Sequence, residues 1–365
     1  MRKIAFVIGG LPFGGVENWL FDIALRMKRG GAYACRIFNV SGTGVKMPEF
    51  EAASLDVVCI GNSNAAASTH RLDTALRLRR ELKRYDPDII HTLHFGGDYF
   101  GRIAAMGLGV PVITHLRNVK REKKPVRRIA NKLLSFWTDA YISVSRAVEQ
   151  VVESDHNMFK RRQYILYNAL DTERLNCAPY DLKSMFGLQG NILIGIGRYV
   201  EQKNFENLIQ SVKILISSGR NVSLILIGEG DRRKNYEIMI DELKLKDRII
   251  LTGYRDDVAA FLRGSDVLVM PSLYEGFLNV HIEAMYCGVP SVLSHTVPSL
   301  EIFSKAAVIC DFFPESIAHS IDLLIGNPEK YAEIVKIGRL IAEEHTLDYY
   351  IKLLFDIYDD ILNNN

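Results

Sequence analysis

Two cations in the second half of the chain have the type and spacing to bind a diphosphate. Arg198 and Lys203 lie five residues apart in a loop that follows an apolar run at 192–196 and precedes a helical pattern. Arg could clamp phosphate oxygens through paired hydrogen bonds, and Lys could act there as a point charge. Two solvated loop cations remain the alternative at this point.

Two carboxylates stand eight residues apart around a predicted strand-to-helix turn. The strand is predicted at 267–270 and the turn at 275–277, and a helix is predicted to begin near Asn279, a residue type that caps helices well. Glu275 and Glu283 could therefore face one pocket at the helix N-terminus, where carboxylates can hydrogen-bond sugar hydroxyls. Complementarity between Glu283 and the helix dipole is the alternative.

A glycine-rich segment with Gly14 and Gly15 separates the first apolar run from the first helical pattern. Backbone N–H groups in such a segment can approach an anion at a helix N-terminus. The segment is neither the dinucleotide-binding G-x-G-x-x-G nor a Walker loop, because no Lys-Ser/Thr follows it. A tight structural turn explains the glycines equally well.

Apolar runs alternate with helical patterns along two series, which predicts an α/β fold with two Rossmann-like, doubly wound parallel-sheet domains. The predicted domains are an N-terminal one at 1–170, a C-terminal one at 171–345, and a C-terminal helix at 346–365 that could cross back to the first. Ligands of such sheets bind outside the carboxyl ends of the strands. The predicted strands are 4–8, 35–40, 57–60, 87–91, 110–114 and 140–144, then 192–196, 223–227, 249–251, 267–270, 290–293 and 307–310.

Composition excludes several classes of protein. The 365 residues include 45 Lys and Arg and 43 Asp and Glu, so the net charge of +2 argues against a surface that binds nucleic acid throughout. With 48% apolar residues, global disorder is excluded. No apolar run reaches the roughly 18 residues that span a bilayer, and the N-terminal run reads as a strand rather than a signal peptide, so a cytoplasmic protein is expected. The five scattered cysteines lack metal-binding spacing and are expected to be reduced core residues.

Taken together, these clusters resemble the glycosyltransferases of the GT-B architecture, specifically the retaining group classed as family 4. The resemblance covers nearly the whole chain, and its most specific part is the Glu275-x7-Glu283 block. It implies two Rossmann-like domains facing a central cleft, closed by C-terminal helices. The other matching segments are Gly14-Gly-Val-Glu17, Pro87-Asp-Ile-Ile-His91, Tyr167-Asn-Ala-Leu-Asp171, Gly197-Arg198 with Lys203-Asn204, Leu226-Ile-Gly-Glu-Gly230, and the run from Glu283 to Pro290.

The resemblance implies a site for a nucleotide diphosphate sugar, with UDP as the expected nucleotide. Arg198 and Lys203 would bind the diphosphate, Glu283 the ribose, and Glu275 the hydroxyls of the transferred sugar. The implied donor-binding residues are Gly14, Gly15, Arg198, Lys203, Tyr254, Glu275, Gly276, Phe277, Leu278, Asn279 and Glu283. The implied catalytic residues are Glu275, His94, Arg198 and Lys203.

The implied mechanism retains the anomeric configuration, because in the family the acceptor attacks on the face that the leaving group departs from. The two cations and the helix N-termini would stabilise the leaving diphosphate. No Asp-x-Asp follows a strand end, so neither a metal nor another cofactor is expected.

Three segments depart from the family pattern. His91-Thr-Leu-His94 replaces the usual His-x-His, which leaves His91 and His94 as alternatives for the histidine near the reaction centre. The segment 296–302 lacks the usual glycine pair, and His281 stands where the family has an apolar residue.

A basic strip at 117–137 holds eight basic residues and one acidic residue, with apolar and aromatic residues between them. A basic amphipathic helix of this kind suits an anionic membrane surface, at about 1 kcal/mol per cation. The alternatives are a solvated helix whose apolar residues belong to the core and, less favoured, nucleic-acid binding. The membrane or acceptor residues predicted here are Arg117, Lys120, Arg121, Lys123, Lys124, Arg127 and Arg128.

The function expected from the sequence is transfer of a hexose-type sugar from a nucleotide diphosphate sugar to a glycan acceptor. A lipid-linked acceptor in cell-surface polysaccharide or glycolipid synthesis is expected, with the enzyme peripheral on the inner face of the cell membrane. A nucleotide-sugar epimerase of the same architecture and a non-catalytic protein that binds nucleotides or glycans are the alternatives. No nucleic-acid partner is expected.

Overall fold

The computed structural model describes residues 1–12, 14–63, 71–117, 119 and 125–364. They divide into two compact units, Met1–Tyr167 with Ile351–Asn365 and Asn168–Tyr350. The final helix therefore begins in the second unit and continues into the first. Each unit is built on one parallel sheet.

The first unit contains a sheet in the order β3-β2-β1-β4-β5-β6-β7, all parallel. Strand β1 is apolar and buried from Ile4 to Ile8, as expected of a parallel sheet covered by helices on each side. In the described part of the chain its strands are β1 (Arg2–Ile8), β2 (Tyr33–Asn39), β3 (Val57–Cys59), β4 (Ile89–Leu93), β5 (Val112–Leu116), β6 (Ala140–Ser143) and β7 (Arg162–Ile165).

Besides the greater part of the final helix, the described residues of this unit form six α-helices, and local sequence explains the position of two of them. The helices are α1 (Gly15–Gly30), α2 (Met47–Ala52), α3 (Leu72–Tyr85), α4 (His94–Ala105), α5 (Pro125–Leu134) and α6 (Arg146–Asp155). The Ser145 hydroxyl accepts from the Val148 N–H and caps α6. Helix α4 approaches β1 closely because Gly97 has no side chain; a Cβ there would lie 2.3 Å from the Val7 carbonyl oxygen.

The second unit contains a six-stranded parallel sheet in the order β10-β9-β8-β11-β12-β13. Its strands are β8 (Asn191–Ile196), β9 (Val222–Ile227), β10 (Ile249–Gly253), β11 (Val267–Met270), β12 (Ser291–Ser294) and β13 (Ala307–Cys310). Its helices are α7 (Thr172–Leu175), α8 (Leu182–Phe186), α9 (Phe205–Ser217), α10 (Arg233–Glu242), α11 (Val258–Arg263), α12 (Asn279–Cys287), α13 (Leu300–Phe303), α14 (Pro314–Ile325), α15 (Pro328–Glu344) and the first residues of α16 (Leu347–Asn363).

The predicted fold class, two doubly wound parallel-sheet domains, is confirmed. Among the described residues no helix combines the length and the apolar content needed to cross a bilayer. The cysteine prediction is wrong for two residues: Cys287 and Cys310 are buried, whereas Cys59 and Cys177 are exposed.

Strands β4 and β5 each lie two residues later than predicted, and β7 was not predicted. Strand β4 begins two residues late because Asp88 precedes the ladder, and its carboxylate accepts from the Lys3 backbone N–H at 2.6 Å. The strand therefore ends at Leu93 and includes His91. Strand β7, Arg-Gln-Tyr-Ile, was missed because it is a polar, partly exposed edge strand without an apolar run.

Candidate functional site

The loop after β8 places Arg198 and Lys203 at the carboxyl end of the second sheet. Gly197 opens this loop with φ of +153°, which residues with a side chain rarely adopt. A Cβ on Gly197 would also lie 2.7 Å from Lys203 Cε, so the glycine leaves room for the lysine stem. Arg198 is exposed, and its side chain has no hydrogen-bond or ion-pair partner among the residues that the structure describes.

Lys203 and Glu275 form an ion pair in which Nζ lies 2.6 Å from Oε1. The two side chains are only 14% and 9% exposed, so the pair is poorly screened by water. Gln202 Nε2 donates to the other carboxylate oxygen of Glu275 at 3.3 Å. Two site residues that the sequence places 72 positions apart are thus brought into direct contact.

The loop after β11 is fastened to the loop after β8, because these strands are neighbours in the sheet. Asn204 adopts a left-handed conformation with φ of +56°, and its Nδ2 donates to the Pro271 carbonyl at 3.1 Å and the Phe312 carbonyl at 3.0 Å. The Leu273 N–H donates to the Gln202 carbonyl at 2.8 Å. These bonds fix the loop that carries Glu275.

Helix α12 continues from this loop and carries Glu283 in its second turn. Asn279 was expected as its cap, but it is the first helical residue and Leu278 occupies the cap position. The Asn279 side chain instead accepts from Asn168 Nδ2 at 2.5 Å. Burial raises the pKa of Glu283, and the Arg174 charge opposes that shift. The N-terminus of α12 carries partial positive charge, which favours an anion there.

The remaining donor-site candidates of this unit lie along the same edge of the sheet. Gly276, Phe277 and Leu278 are buried between Glu275 and α12. Tyr254 follows β10 and is 52% exposed. Strand β9 lies between β10 and β8, so one strand separates the end that carries Tyr254 from the end that carries Lys203.

In the first unit, Gly14 and Gly15 form the N-terminus of α1. A Cβ on Gly14 would lie 2.6 Å from Glu17 Oε2, so the glycine makes room for a buried carboxylate. Burial raises the pKa of Glu17, while a hydrogen bond with its own backbone and the Arg117 charge oppose the shift. A phosphate at this helix N-terminus would meet the Glu17 carboxylate, a residue of the matching Gly14-Gly-Val-Glu17 segment to which the sequence analysis assigned no role.

His94 is the first residue of α4 and lies directly after the end of β4. Its φ of +62° is uncommon for a residue with a side chain and costs roughly 1–3 kcal/mol. Its Nδ1 lies 3.5 Å from Glu17 Oε1, an oxygen that accepts no hydrogen bond within the described part of the chain. Burial and the Arg117 charge lower the pKa of His94 to about 4, so the ring is neutral near pH 7.

His91, the other candidate, lies in the core of the first unit in a chain of hydrogen bonds that sequence reasoning missed. Its Nδ1 lies 2.7 Å from the Tyr358 hydroxyl and its Nε2 lies 3.2 Å from His115 Nδ1. His115 Nε2 in turn lies 3.3 Å from Arg117 NH1. Arg can only donate, so His115 must accept at Nε2 and donate from Nδ1, and His91 must donate to Tyr358. The signal in the sequence was a pair of consecutive polar residues inside each of two buried strands, His91-Thr92 in β4 and Thr114-His115 in β5.

Arg117 ends this chain at the carboxyl end of β5 rather than on the basic helix. Its guanidinium also lies over the Trp19 ring, 4.7 Å from the ring centroid. The Arg117 charge therefore acts on Glu17 and on His94 in the first unit.

The other predicted strip residues fall into two groups. Lys120, Arg121, Lys123 and Lys124 lie outside the described residues. Arg127 lies over the Phe95 ring at 4.2 Å from its centroid, and Arg128 lies 3.4 Å from the buried Asp155 carboxylate. These two cations thus have partners within the first unit.

The apolar residues of α5 are mostly exposed, contrary to the core interpretation. Val126, Ile129 and Leu133 recur on one face and are 76%, 60% and 53% exposed. Phe136, which follows α5, is also exposed and packs edge-on against Phe159. An exposed apolar face of this kind commonly marks an interaction surface.

Comparison with known proteins gives the same assignment for both halves of the chain. The family model described as Glycosyltransferase Family 4 matches residues 13–174. The model described as Glycosyl transferases group 1 matches residues 183–340. Together they match most of the 365 residues.

Curated relatives are glycosyltransferases of different specificity. The chain is 28% identical over 271 residues to a 2-deoxystreptamine glucosyltransferase of Streptomyces kanamyceticus, covering 68% of each chain. It is 27% identical over 242 residues to the UDP-Gal:alpha-D-GlcNAc-diphosphoundecaprenol alpha-1,3-galactosyltransferase of Escherichia coli, covering 61% of this chain and 62% of that enzyme.

A solved structure, Anabaena Alr3699/HepE in complex with UDP, has the same fold. Its TM-score is 0.85 at 20% identity, and the match covers 99% of this chain and 100% of that one. The two sheets, the loops at their carboxyl ends and both family matches lead to one assignment: this chain belongs to the group 1 glycosyltransferases of the GT-B architecture.

Proposed function

We propose that the protein is a retaining, metal-independent hexosyltransferase that takes its sugar from a UDP-sugar. The observation that carries the proposal is the buried Lys203–Glu275 pair at the carboxyl end of the second sheet, in a loop that also contains Arg198. This pair supports a site in which cations bind a diphosphate and a neighbouring carboxylate binds sugar hydroxyls. The UDP bound in the Anabaena structure supports uridine as the base.

The chemistry follows from charge. As the sugar–phosphate bond breaks, negative charge develops on the departing diphosphate. Arg198, Lys203 and the N-terminus of α12 would stabilise that charge, which is the work that a divalent metal does in other transferases. Glu275 would hold the transferred sugar by its hydroxyls, and Glu283 would bind the ribose. Retention is inferred from the Glu275-x7-Glu283 block that the chain shares with the family.

The first unit would bind the acceptor. His94 is held in a strained conformation at the end of β4, where ligands of parallel sheets bind. Its neutral imidazole can donate and accept hydrogen bonds with a sugar hydroxyl. These features support His94, rather than the wholly buried His91, as the histidine near the reacting hydroxyl.

A lipid-linked glycan is the acceptor that we propose, with the enzyme bound to an anionic membrane surface. Support comes from the exposed apolar face of α5 within the basic strip and from the E. coli relative, which acts on a sugar linked by diphosphate to undecaprenol. Apolar side chains could enter the interface while neighbouring cations contact lipid headgroups. Cell-surface polysaccharide or glycolipid synthesis is the corresponding process.

The test is product analysis with UDP-glucose and UDP-galactose, each offered with GlcNAc-diphosphoundecaprenol. We expect transfer with an α-linked product, seen by NMR, and no loss of rate in EDTA. Arg198→Ala and Glu283→Ala should each lower turnover by at least about 100-fold while leaving the fold intact. Full activity in both variants contradicts the site assignment.

Incubation of the donor without acceptor separates the alternatives. A transferase hydrolyses the donor slowly, whereas an epimerase interconverts UDP-glucose and UDP-galactose or their N-acetyl forms. A non-catalytic binding protein does neither, although the nucleotide still binds.

A further inference from the structure

We propose that Gln202 is a positioning residue that holds the Glu275 carboxylate when Lys203 turns to the donor diphosphate. This inference rests on the proposed function, because it assumes that Lys203 binds phosphate and Glu275 binds the sugar. It assigns a role to a residue that sits between the two predicted cations and that no sequence pattern singled out.

The geometry shows three contacts between Gln202 and the loop that carries Glu275. Its Nε2 donates to the Tyr274 carbonyl at 2.8 Å and to Glu275 Oε2 at 3.3 Å. Its own carbonyl accepts from the Leu273 N–H at 2.8 Å. One residue therefore fastens three successive residues of that loop.

The two oxygens of Glu275 have different partners. Oε1 is paired with Lys203 Nζ, and Oε2 is the acceptor for Gln202. A diphosphate carries more charge than a carboxylate and competes for the same ammonium. When Lys203 shifts toward phosphate, the Gln202 amide is the side-chain hydrogen bond that remains to the Glu275 carboxylate among the described residues.

A fixed carboxylate matters because catalysis depends on placement within fractions of an ångström. The amide of Gln202 is uncharged, so it can hold Glu275 without adding a third charge that would compete for the diphosphate. Its main-chain bond to Leu273 survives side-chain replacement. The positioning role of the side chain can therefore be separated from the folding of the loop.

The experiment compares Gln202→Met and Gln202→Glu with Asn207→Leu. Methionine keeps the size of glutamine but cannot donate, and glutamate places a like charge beside Glu275. Asn207 is the matched control, because its amide bonds the Asn204 side chain and the Phe312 carbonyl but does not touch Glu275. The full chain is used for calorimetric titration with UDP and UDP-glucose, and for kcat and KM of UDP-glucose hydrolysis.

We expect Gln202→Met to bind UDP within about threefold of wild type, because UDP lacks the sugar that Glu275 would hold. Turnover of UDP-glucose should fall about 10-fold to 100-fold, the size of one hydrogen bond to a charged group. Gln202→Glu should lose more, and Asn207→Leu should keep both UDP affinity and turnover.

Two results overturn the inference while leaving the proposed function intact. One is unchanged turnover in Gln202→Met. The other is an equal loss of UDP and UDP-glucose affinity, which shows that the side chain only supports the loop. A wild-type protein that binds neither UDP nor UDP-glucose overturns the proposed function, and the inference with it.

Discussion

Replacement of Lys203 by methionine should leave a buried carboxylate without its counter-ion and destabilise the second unit. Lys203 Nζ lies 2.6 Å from Glu275 Oε1, and both side chains are at least 86% inaccessible to solvent, since they are 14% and 9% exposed. Loss of one partner from a buried pair costs about 3–5 kcal/mol. Gln202 still donates to Glu275, so we expect the lower end, about 3 kcal/mol.

The double variant Lys203→Met/Glu275→Gln removes both charges and should recover most of that loss. A neutral amide beside methionine leaves no stranded charge, so the remaining cost should be about 1 kcal/mol. Because replacing Glu275 alone leaves a lysine that can turn toward solvent, the single Glu275→Gln variant should lose about 1 kcal/mol. The coupling free energy from the cycle is then about 3 kcal/mol.

Hydrogen exchange followed by mass spectrometry suits this measurement, because a chain of two units has no single unfolding free energy. Peptides from β8 and β11 report the opening of the second sheet. The exposed pair Lys246–Asp241, 2.7 Å apart but 67% and 64% exposed, supplies the control. Lys246→Met should change stability by less than about 1 kcal/mol. Additive effects of Lys203→Met and Glu275→Gln would refute the reasoning.

Three further predictions concern the first unit. Burial lowers the pKa of His91 to about 3, below the usual 6.5, so between these pH values the unfolded chain binds more protons and the free energy of unfolding falls on acidification. From His91 alone we expect a loss of about 2 kcal/mol between pH 7 and pH 5. Hydrogen-exchange measurements on β4 should show that His91→Gln abolishes this loss. Tyr358→Phe should lower the free energy of unfolding by about 1–3 kcal/mol, because the buried Nδ1–H of His91 loses its acceptor. Tyr236→Phe should be nearly neutral, because that buried hydroxyl has no hydrogen-bond partner among the described residues. Equal effects of the two substitutions would contradict the hydrogen-bond chain. Replacement of the three exposed apolar residues of α5 by serine should weaken binding to phosphatidylglycerol vesicles at least about 10-fold and leave UDP affinity unchanged; unchanged vesicle binding would remove the membrane proposal.

The alternation of apolar runs and helical patterns was enough to predict two parallel-sheet domains. Buried parallel strands are mostly apolar, as in Ile4–Ile8 of β1 and in β9, so they stand out in a sequence. Strand β7 lacks that signal because it lies at the edge of its sheet. Strand bounds near proline were also displaced, since hydrogen bonding of Asp88, rather than hydropathy, sets the start of β4.

Site residues on loops were found because glycine, cations and carboxylates follow predicted strands. Their mutual contacts could not be predicted from composition or spacing: Lys203 and Glu275 meet because β8 and β11 are neighbours, which is a property of the sheet order. The chain from Tyr358 to Arg117 depends on the return of the last helix to the first unit. Arg117 was assigned to the strip by its neighbours in sequence, while its position is set by β5 and Trp19.

Thermal unfolding with UDP-, GDP- and ADP-sugars tests most directly whether the second unit binds a nucleotide diphosphate sugar. At a UDP-glucose concentration about 100 times its Kd, binding should stabilise the unit by about 2.7 kcal/mol and raise its Tm by roughly 5–10 °C. Arg198→Ala should lose most of that shift at the same concentration. No shift with any of the nucleotide sugars, or an equal shift in Arg198→Ala, would contradict the account.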